Sequence, residues 1–290
     1  MNLDLSFMEA YTLVITSSFQ NLRFIQIGAG GTGSWLTPHL ARLARIICES
    51  TPKSASLCII DPDIIETANL NRQNFCAAEL GLNKAQALAM RYGLATSLDI
   101  TAITEPFKAS QIQAGYQDLV ILIGCVDNAN ARKTIAAYLD SLGSYGPNPF
   151  WLDCGNYRDG GNVLIGNTTD PEKLKGGFPV DKWCTALPSP ALQHPELLQP
   201  LAEEQNDSNL SCEELAMRSA QSLTINQTMA AIVTNYLVQF LNGKLRCFQT
   251  YVNLEAMVTR STYITPQAVA SIIGKPLEFF KTTSGNKKQH

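Results

Sequence analysis

Three short polar segments in the first quarter of the chain carry residues that could bind a nucleotide. The first, GAGGTG at residues 28–33, follows an apolar run and precedes a helical pattern. Glycines let the backbone approach a phosphate closely, and a helix start offers free N–H groups and the positive end of its dipole. We therefore expect a phosphate to lie against Gly28, Gly30, Gly31 and Gly33. A tight strand-to-helix turn without a ligand is the alternative interpretation.

The second and third segments add a carboxylate and a set of polar and cationic residues. Asp61 follows another apolar run, where a carboxylate can bind both ribose hydroxyls of either NAD or ATP. Asn69, Arg72 and Gln73 lie eight, eleven and twelve residues after Asp61. Lys84 opens the next helical pattern. Two cations can neutralise a triphosphate and the charge that builds when a carboxylate attacks the α-phosphate, so Arg72 and Lys84 are predicted to be catalytic.

A later carboxylate suggests a place for a metal ion. Asp127 comes just after a predicted strand, so it belongs to the same edge of the sheet as Asp61. A carboxylate beside a polyphosphate is the usual way to hold Mg²⁺, which keeps most of its waters. Asp127 is therefore predicted to bind the metal, although Asp127 and Asn128 could also cap the following helix.

The elements that must position these residues alternate in type. Strands are predicted at residues 24–27, 56–60, 100–104, 119–123 and 150–153, and helices at 34–48, 84–95, 110–114 and 129–142. Such alternation favours right-handed crossovers. The predicted fold class is α/β, with a Rossmann-like, mainly parallel sheet that has helices on both faces.

The second half of the chain follows another pattern. We expect a strand at residues 160–166, an irregular crossover at 167–212, a helix at 213–241 and antiparallel strands at 247–254 and 257–264. The organisation expected is one adenylation domain over residues 1–281, with a nucleotide-binding half at 20–155, a second half at 156–281 and a disordered tail at 282–290.

The order of these motifs resembles the ThiF/MoeB/HesA group of the ubiquitin-activating enzyme superfamily, strongly over residues 20–155 and loosely beyond. Residues 223–228 (LTINQT) further resemble ThiF-like proteins of bacterial PRTRC gene clusters. The resemblance implies ATP- and Mg²⁺-dependent adenylation of the C-terminal glycine of a ubiquitin-like or sulfur-carrier protein. It implies a homodimer and a conjugating-enzyme-like acceptor as well. The residues that it places on the nucleotide or its metal are Asp61, Asn69, Arg72, Lys84 and Asp127.

A second resemblance concerns a cysteine in the irregular crossover. The segment FPVDKWCT at residues 178–185 is similar to the Cys-Thr segment that bears the thioester-forming cysteine of ubiquitin-activating enzymes. A thiolate can capture an acyl adenylate and yield a transferable thioester. Cys184 is the candidate nucleophile; Cys212, or no cysteine at all, are the alternatives.

Composition excludes several other classes. The net charge of −3 argues against a nucleic-acid partner, which would call for a basic stripe. The apolar runs are too short to cross a bilayer and the first residues lack a basic signal start, so we expect a cytoplasmic protein. None of the eight cysteines forms a Cys-x-x-Cys pair, so no zinc site is expected.

Two other functions stay open at this point. An NAD-dependent oxidoreductase would explain the glycine turn and Asp61, but it leaves Arg72, Lys84 and Asp127 without a role. A catalytically inactive nucleotide-binding adaptor would keep the pocket without the reaction. Nucleotide preference and pyrophosphate exchange distinguish these hypotheses from adenylation.

Overall fold

The computed structural model describes residues 6–15, 18–141, 149–157, 159–178, 182–200 and 224–280. The helices are α1 (Ser6–Glu9), α2 (Gly31–Ser50), α3 (Lys84–Thr96), α4 (Ala129–Ser141), α5 (Pro190–Gln193), α6 (Ile225–Leu241) and α7 (Pro266–Ile273). The strands are β1 (Thr12–Leu13), β2 (Asn21–Ile27), β3 (Ser54–Ile60), β4 (Ile100–Ile103), β5 (Asp118–Gly124), β6 (Phe150–Asn156), β7 (Gly160–Gly166), β8 (Trp183–Cys184), β9 (Cys247–Asn253) and β10 (Val258–Tyr263).

An eight-stranded sheet in the order β10-β9-β7-β6-β5-β2-β3-β4 runs through these elements. The five strands from β6 to β4 are parallel, and β6, β7, β9 and β10 pair antiparallel. The predicted α/β fold class, with a mainly parallel sheet and antiparallel strands near the C-terminus, is confirmed.

Two hydrophobic cores lie on opposite faces of the sheet. Because side chains alternate along a strand, Leu22 and Phe24 of β2 join one core while Ile25 and Ile27 join the other. The first core also takes the apolar faces of α2, α3 and α6, and the second takes that of α4. Helices therefore cover both faces, as predicted.

The crossover expected to be irregular contains only short elements. Within residues 167–178 and 182–200 it holds short 3-10 turns at Pro171–Leu174 and Pro195–Leu198, the four-residue helix α5 and the two-residue strand β8. Strand β8 pairs in parallel with β1, a contact that the sequence did not suggest.

Some element predictions need correction, and others lie outside the described residues. The helix expected at 110–114 is a 3-10 turn at Ala109–Gln111, and α7 was not anticipated. The first part of the helix expected at 213–241, up to residue 223, and the tail at 282–290 are not described. In the parts of the chain that are described, no helix combines the length and apolarity needed to span a membrane.

Candidate nucleotide-binding site

The carboxyl ends of the parallel strands open onto a pocket of about 710 Å³. Parallel strands end at one edge of the sheet, so the residues that follow them meet there. The predicted site residues that line it are Gly28, Gly30, Gly31, Asp61, Asn69, Arg72, Gln73, Lys84 and Asp127. Gly33 and Cys184 are not among its lining residues.

The glycine turn is shaped by close backbone contacts. Gly28 has φ +96°, and a Cβ atom there would lie 2.4 Å from the Cys125 carbonyl oxygen. A Cβ atom on Gly33 would lie 2.2 Å from the Gly28 carbonyl oxygen, so Gly33 serves tight packing of the turn. Gly30 is the N-cap of α2 and provides no side-chain cap, and Gly30, Gly31 and Thr32 at this helix start line the pocket.

A wholly buried glutamine, Gln26 of β2, is hydrogen-bonded to the main chain of the glycine turn. Gln26 Nε2 donates to the carbonyls of Gly28 at 3.0 Å and Gly33 at 3.1 Å. Its Oε1 accepts from Thr37 Oγ1 at 2.9 Å. Sequence reasoning missed this residue, although a polar residue inside the apolar run FIQI was a visible signal.

Asp61 is fixed by backbone N–H groups. Its Oδ2 accepts from the Ala29 N–H at 2.6 Å, and its Oδ1 accepts from the Asp63 N–H at 2.8 Å. Burial raises the pKa of Asp61, while these two hydrogen bonds and the charge of Lys84 act in the opposite direction. Because a carboxylate oxygen can accept more than one hydrogen bond, Asp61 can still receive ribose hydroxyls.

Lys84 is buried, and its ammonium group has a carboxylate partner. Its Nζ lies 2.8 Å from Oδ2 of Asp63, an exposed residue that also lines the pocket. Asn83 caps α3 by accepting from the Gln86 N–H at 3.1 Å, and its Nδ2 donates to the Asp61 carbonyl at 2.8 Å. These contacts fix the start of α3, and with it Lys84, against the end of β3.

The segment that carries Arg72 is hydrogen-bonded to α2 at a place where a proline leaves a helix carbonyl without its usual donor. Pro38 has no N–H, so the carbonyl of Ser34, four residues earlier, lacks its usual helical donor. Asn74 Nδ2 donates to that carbonyl at 3.2 Å, and the Asn74 N–H donates to Ser34 Oγ at 2.9 Å. Trp35 Nε1 donates to the Arg72 carbonyl at 3.2 Å. The main chain at Arg72 is thereby fixed to the helix that begins at the glycine turn.

Asn69 and Gln73 are both buried at the wall of the pocket. Asn69 Oδ1 accepts from the Glu66 N–H at 2.9 Å and so closes a 3-10 turn at Thr67–Asn69. Gln73 Oε1 has no hydrogen-bond partner within the described residues. Asn69 thus has a local structural task in addition to the nucleotide contact predicted for it.

The residues after β5 divide into a cap and an exposed carboxylate. Asn128 Oδ1 accepts from the Ala131 N–H at 2.8 Å and caps α4. Asp127 is exposed and lines the pocket. Within the described residues no group of three or more His, Cys, Asp or Glu side chains could hold a metal ion by themselves. One carboxylate still suits Mg²⁺ that is bound mainly by phosphate oxygens and water.

A buried ion pair behind Asp127 was not anticipated from the sequence. Arg132 Nε lies 3.2 Å from Oδ2 and 3.3 Å from Oδ1 of Asp153, and Nη2 donates to the Val126 carbonyl at 2.7 Å. Burial raises the pKa of Asp153 and Arg132 lowers it. The pair connects α4 to β6 and fixes the backbone immediately before Asp127.

Cys184 lies in the core. It is 0% exposed, and its thiol donates to the Ala186 carbonyl at 3.2 Å. Burial raises its pKa to about 12. Leu13 of β1 pairs with Cys184 in β8, so the cysteine is covered by the N-terminal segment. The alternative nucleophile, Cys212, lies outside the described residues.

An α/β sheet with a glycine turn after its first parallel strand, and a pocket at its strand ends, defines a Rossmann-like class of protein. A model of the ThiF family matches residues 9–145, which confirms the predicted family resemblance for that part of the chain. The resemblance to the PRTRC subgroup stays a prediction.

A relative from Drosophila grimshawi, ubiquitin-like modifier-activating enzyme 5, is 25% identical over 230 residues. That match covers 74% of this chain and 50% of the relative, so the chain spans about half the length of this curated protein.

Solved structures show the same fold. E. coli MccB with ATP has a TM-score of 0.54 at 16% identity and covers 89% of this chain and 68% of that one. PaaA has a TM-score of 0.53 at 18% identity, with 83% and 64% covered. E. coli MccB with AMPCPP and MccA has a TM-score of 0.52 at 16% identity, with 83% and 63% covered.

Proposed function

We propose that this chain uses ATP to adenylate the C-terminal carboxylate of a protein or peptide. The observation that carries the proposal is the joining of a glycine turn with Arg72, Lys84 and Asp127 around one pocket. A redox dinucleotide site would need the turn and Asp61 but neither cation. The match to the ThiF family and the MccB–ATP structure support the choice of ATP.

The residues divide the work as follows. The glycine turn receives phosphate oxygens, and Asp61 receives the ribose hydroxyls. An oxygen of the substrate carboxylate attacks the α-phosphorus, the bond from that phosphorus to the bridging oxygen breaks, and pyrophosphate leaves. Arg72 and Lys84 stabilise the negative charge that builds in this step. Lys84 must then exchange some of its contact with Asp63 for a contact with phosphate.

Asp127 would hold Mg²⁺ beside the triphosphate, because it is an exposed carboxylate on the pocket wall. Bound there, the ion would neutralise phosphate charge. The Arg132–Asp153 pair keeps the preceding backbone in place for this contact.

The acyl substrate is proposed from the relatives. The fly relative is named for activating a ubiquitin-like modifier, and MccB is described in a structure with MccA. We therefore propose a substrate that presents a C-terminal glycine, either a ubiquitin-like or a sulfur-carrier protein. A thioester on Cys184, with a conjugating-enzyme-like acceptor, is a further proposal that requires β1 and β8 to separate, since the thiol is buried.

Two measurements test the core of the proposal. Calorimetric titration should detect binding of ATP with Mg²⁺ and much weaker binding of NAD; the reverse preference would favour an oxidoreductase. ATP–pyrophosphate exchange should depend on an added ubiquitin-like or sulfur-carrier protein from the same gene neighbourhood. ATP binding with no pyrophosphate exchange for any of these partners would favour the alternative hypothesis of a catalytically inactive adaptor.

The homodimer expected from the resemblance is part of the proposal. Sedimentation at micromolar concentration should give about twice the chain mass of 31.7 kDa. A monomer that catalyses pyrophosphate exchange would refute the homodimer but would leave the proposed adenylation intact.

A further inference from the structure

Three polar side chains form a hydrogen-bonded cluster beside the glycine turn: Asn226 and Thr32 are buried, and Asn156 is half-buried at the pocket wall. Asn226, in the first turn of α6, accepts at Oδ1 from Asn156 Nδ2 at 2.6 Å and from Thr32 Oγ1 at 3.2 Å. Asn156 Nδ2 also lies 3.1 Å from Thr32 Oγ1. The cluster therefore joins the start of α2, the end of β6 and the start of α6 at one point.

Asn226 reaches the segment that carries Arg72 as well. Its Nδ2 donates to the Arg72 carbonyl at 3.2 Å. The same carbonyl accepts from Trp35 Nε1 at 3.2 Å. Two donors from two different helices therefore fix the main chain of Arg72, one from α2 and one from α6.

The amide of Asn226 also determines which residue the turn can hold. A Cβ atom on Gly31 would lie 2.6 Å from Asn226 Oδ1, so the amide fills the space that a side chain there would need. Asn226 is 0% exposed and Thr32 is 4% exposed. Buried polar groups are costly unless they are hydrogen-bonded, so this amide has a defined orientation.

We infer that Asn226 is a positioning residue that sets the distance between the glycine turn and Arg72. The inference rests on the proposed adenylation, in which these two elements contact the same triphosphate. Asn226 bonds to both, through Thr32 on one side and through the Arg72 carbonyl on the other. In this scheme the turn and Asp61 hold ATP in its ground state. Stabilising the transition state also requires the Arg72 side chain to be aligned with the α-phosphate.

Steady-state pyrophosphate exchange gives the first test. Asn226→Ala should lower kcat by about 10-fold to 10²-fold, because small misplacements of an aligned group have effects of this size. The KM for ATP should change much less. Tyr236→Phe is the matched control, since it removes another buried hydrogen bond of α6, to Thr250 at 2.6 Å. Tyr236 lies about 15 Å further along the helix, so its variant should keep the kcat of wild type.

Hydrogen–deuterium exchange gives a second test that does not need the reaction. Asn226→Ala should speed exchange in the peptides that cover residues 28–34 and 69–75 together, and Tyr236→Phe should speed neither. Unchanged exchange in those two peptides, or an equal rise of KM in place of a fall in kcat, would overturn the inference.

The two tests also separate this inference from the proposed function. Wild-type protein that catalyses no pyrophosphate exchange would refute adenylation, while the deuterium measurement would still decide whether Asn226 couples the two segments. Should Asn226→Ala fail to fold, Asn226→Asp keeps the volume and the acceptor but replaces the N–H donor toward Arg72. That variant should then show the same loss of kcat and the same two peptides with faster exchange.

Discussion

The pocket at the ends of the parallel strands and the corner where β1 meets β8 treat their candidate reactive groups in opposite ways. In the pocket, Asp61 is buried but receives two backbone N–H groups, and Lys84 is buried but retains a carboxylate partner. At the corner, Cys184 has one weak hydrogen bond and is surrounded by the hydrophobic core. Burial alone is therefore a weaker indicator of a functional group than burial with polar partners that fix its orientation.

The largest expected effect concerns the access of a thiol reagent to the corner where Cys184 lies. A pKa of about 12 instead of 9 leaves about 10³-fold less thiolate at pH 8, and burial slows the reaction further. Cys184 should therefore react at least that much more slowly than an ordinary exposed thiol, for which Cys76 is the internal control. Peptide mass spectrometry after timed alkylation measures both sites. Equal rates would show that the corner opens readily and would return Cys184 to the candidate nucleophiles.

The next effect is on stability and concerns the buried pair beside the pocket. Arg132→Met leaves Asp153 charged and unpaired in the core, so the free energy of unfolding should fall by about 3–5 kcal/mol. Arg45→Met is the control, because the Arg45–Glu49 pair is exposed and worth about 0.5 kcal/mol or less. Urea titration measures both variants. A loss under about 1 kcal/mol for Arg132→Met would show that the carboxylate takes up a proton or water instead.

The sequence predicted the pocket better than the corner for a physical reason. Hydrophobic periodicity and glycine turns are local signals, and they place the residues that follow each parallel strand at one edge of the sheet. The positions of Asp61, Lys84 and Asp127 at this pocket follow from such signals. The pairing of β1 with β8 joins residues far apart in the chain, and neither two-residue strand has a sequence pattern that indicates which strand it pairs with.

The partners of the residues that hold the site together could not be predicted from the sequence, even where the residue itself stood out, as Gln26 does. Gln26, Asn156 and Asn226 are polar residues in apolar or irregular surroundings, and their partners come from other elements. Asn74 acts through a carbonyl that Pro38 leaves without a donor, which requires knowledge of the helix register. Side-chain chemistry can be predicted from spacing, but a second layer of contacts depends on packing between distant segments.

A smaller effect, confined to the pocket, is expected from removing one cation. Lys84→Ala should slow pyrophosphate exchange by about 10²-fold, since one preorganised electrostatic contact is lost. The unfolding midpoint should fall only slightly, because Asp63 is exposed and buried Asp61 keeps its two backbone N–H donors when the charge of Lys84 is removed. Lys108→Ala is the control, since Lys108 is an exposed lysine paired with nearby Glu105. Exchange that is unaffected by Lys84→Ala would remove Lys84 from the mechanism.

The smallest effect is expected at the corner. Cys184→Ala should lower the free energy of unfolding by about 1 kcal/mol, because it removes a buried sulfur atom. Pyrophosphate exchange should stay at the wild-type rate, since Cys184 does not line the pocket. A fall in exchange would show that the corner and the pocket are coupled, which would remove the contrast between them.

The same variant decides the thioester prediction, because adenylation needs only the pocket whereas transfer needs an acceptor thiol. The prediction requires that wild-type protein form a thiol-sensitive adduct with a carrier protein that it adenylates. Cys184→Ala must abolish this adduct, and Cys212→Ala must keep it. An adduct that survives Cys184→Ala and vanishes with Cys212→Ala would assign the thioester to the other cysteine. Wild-type protein that adenylates its partner and forms no adduct would leave Cys184 as a core residue whose burial serves stability alone.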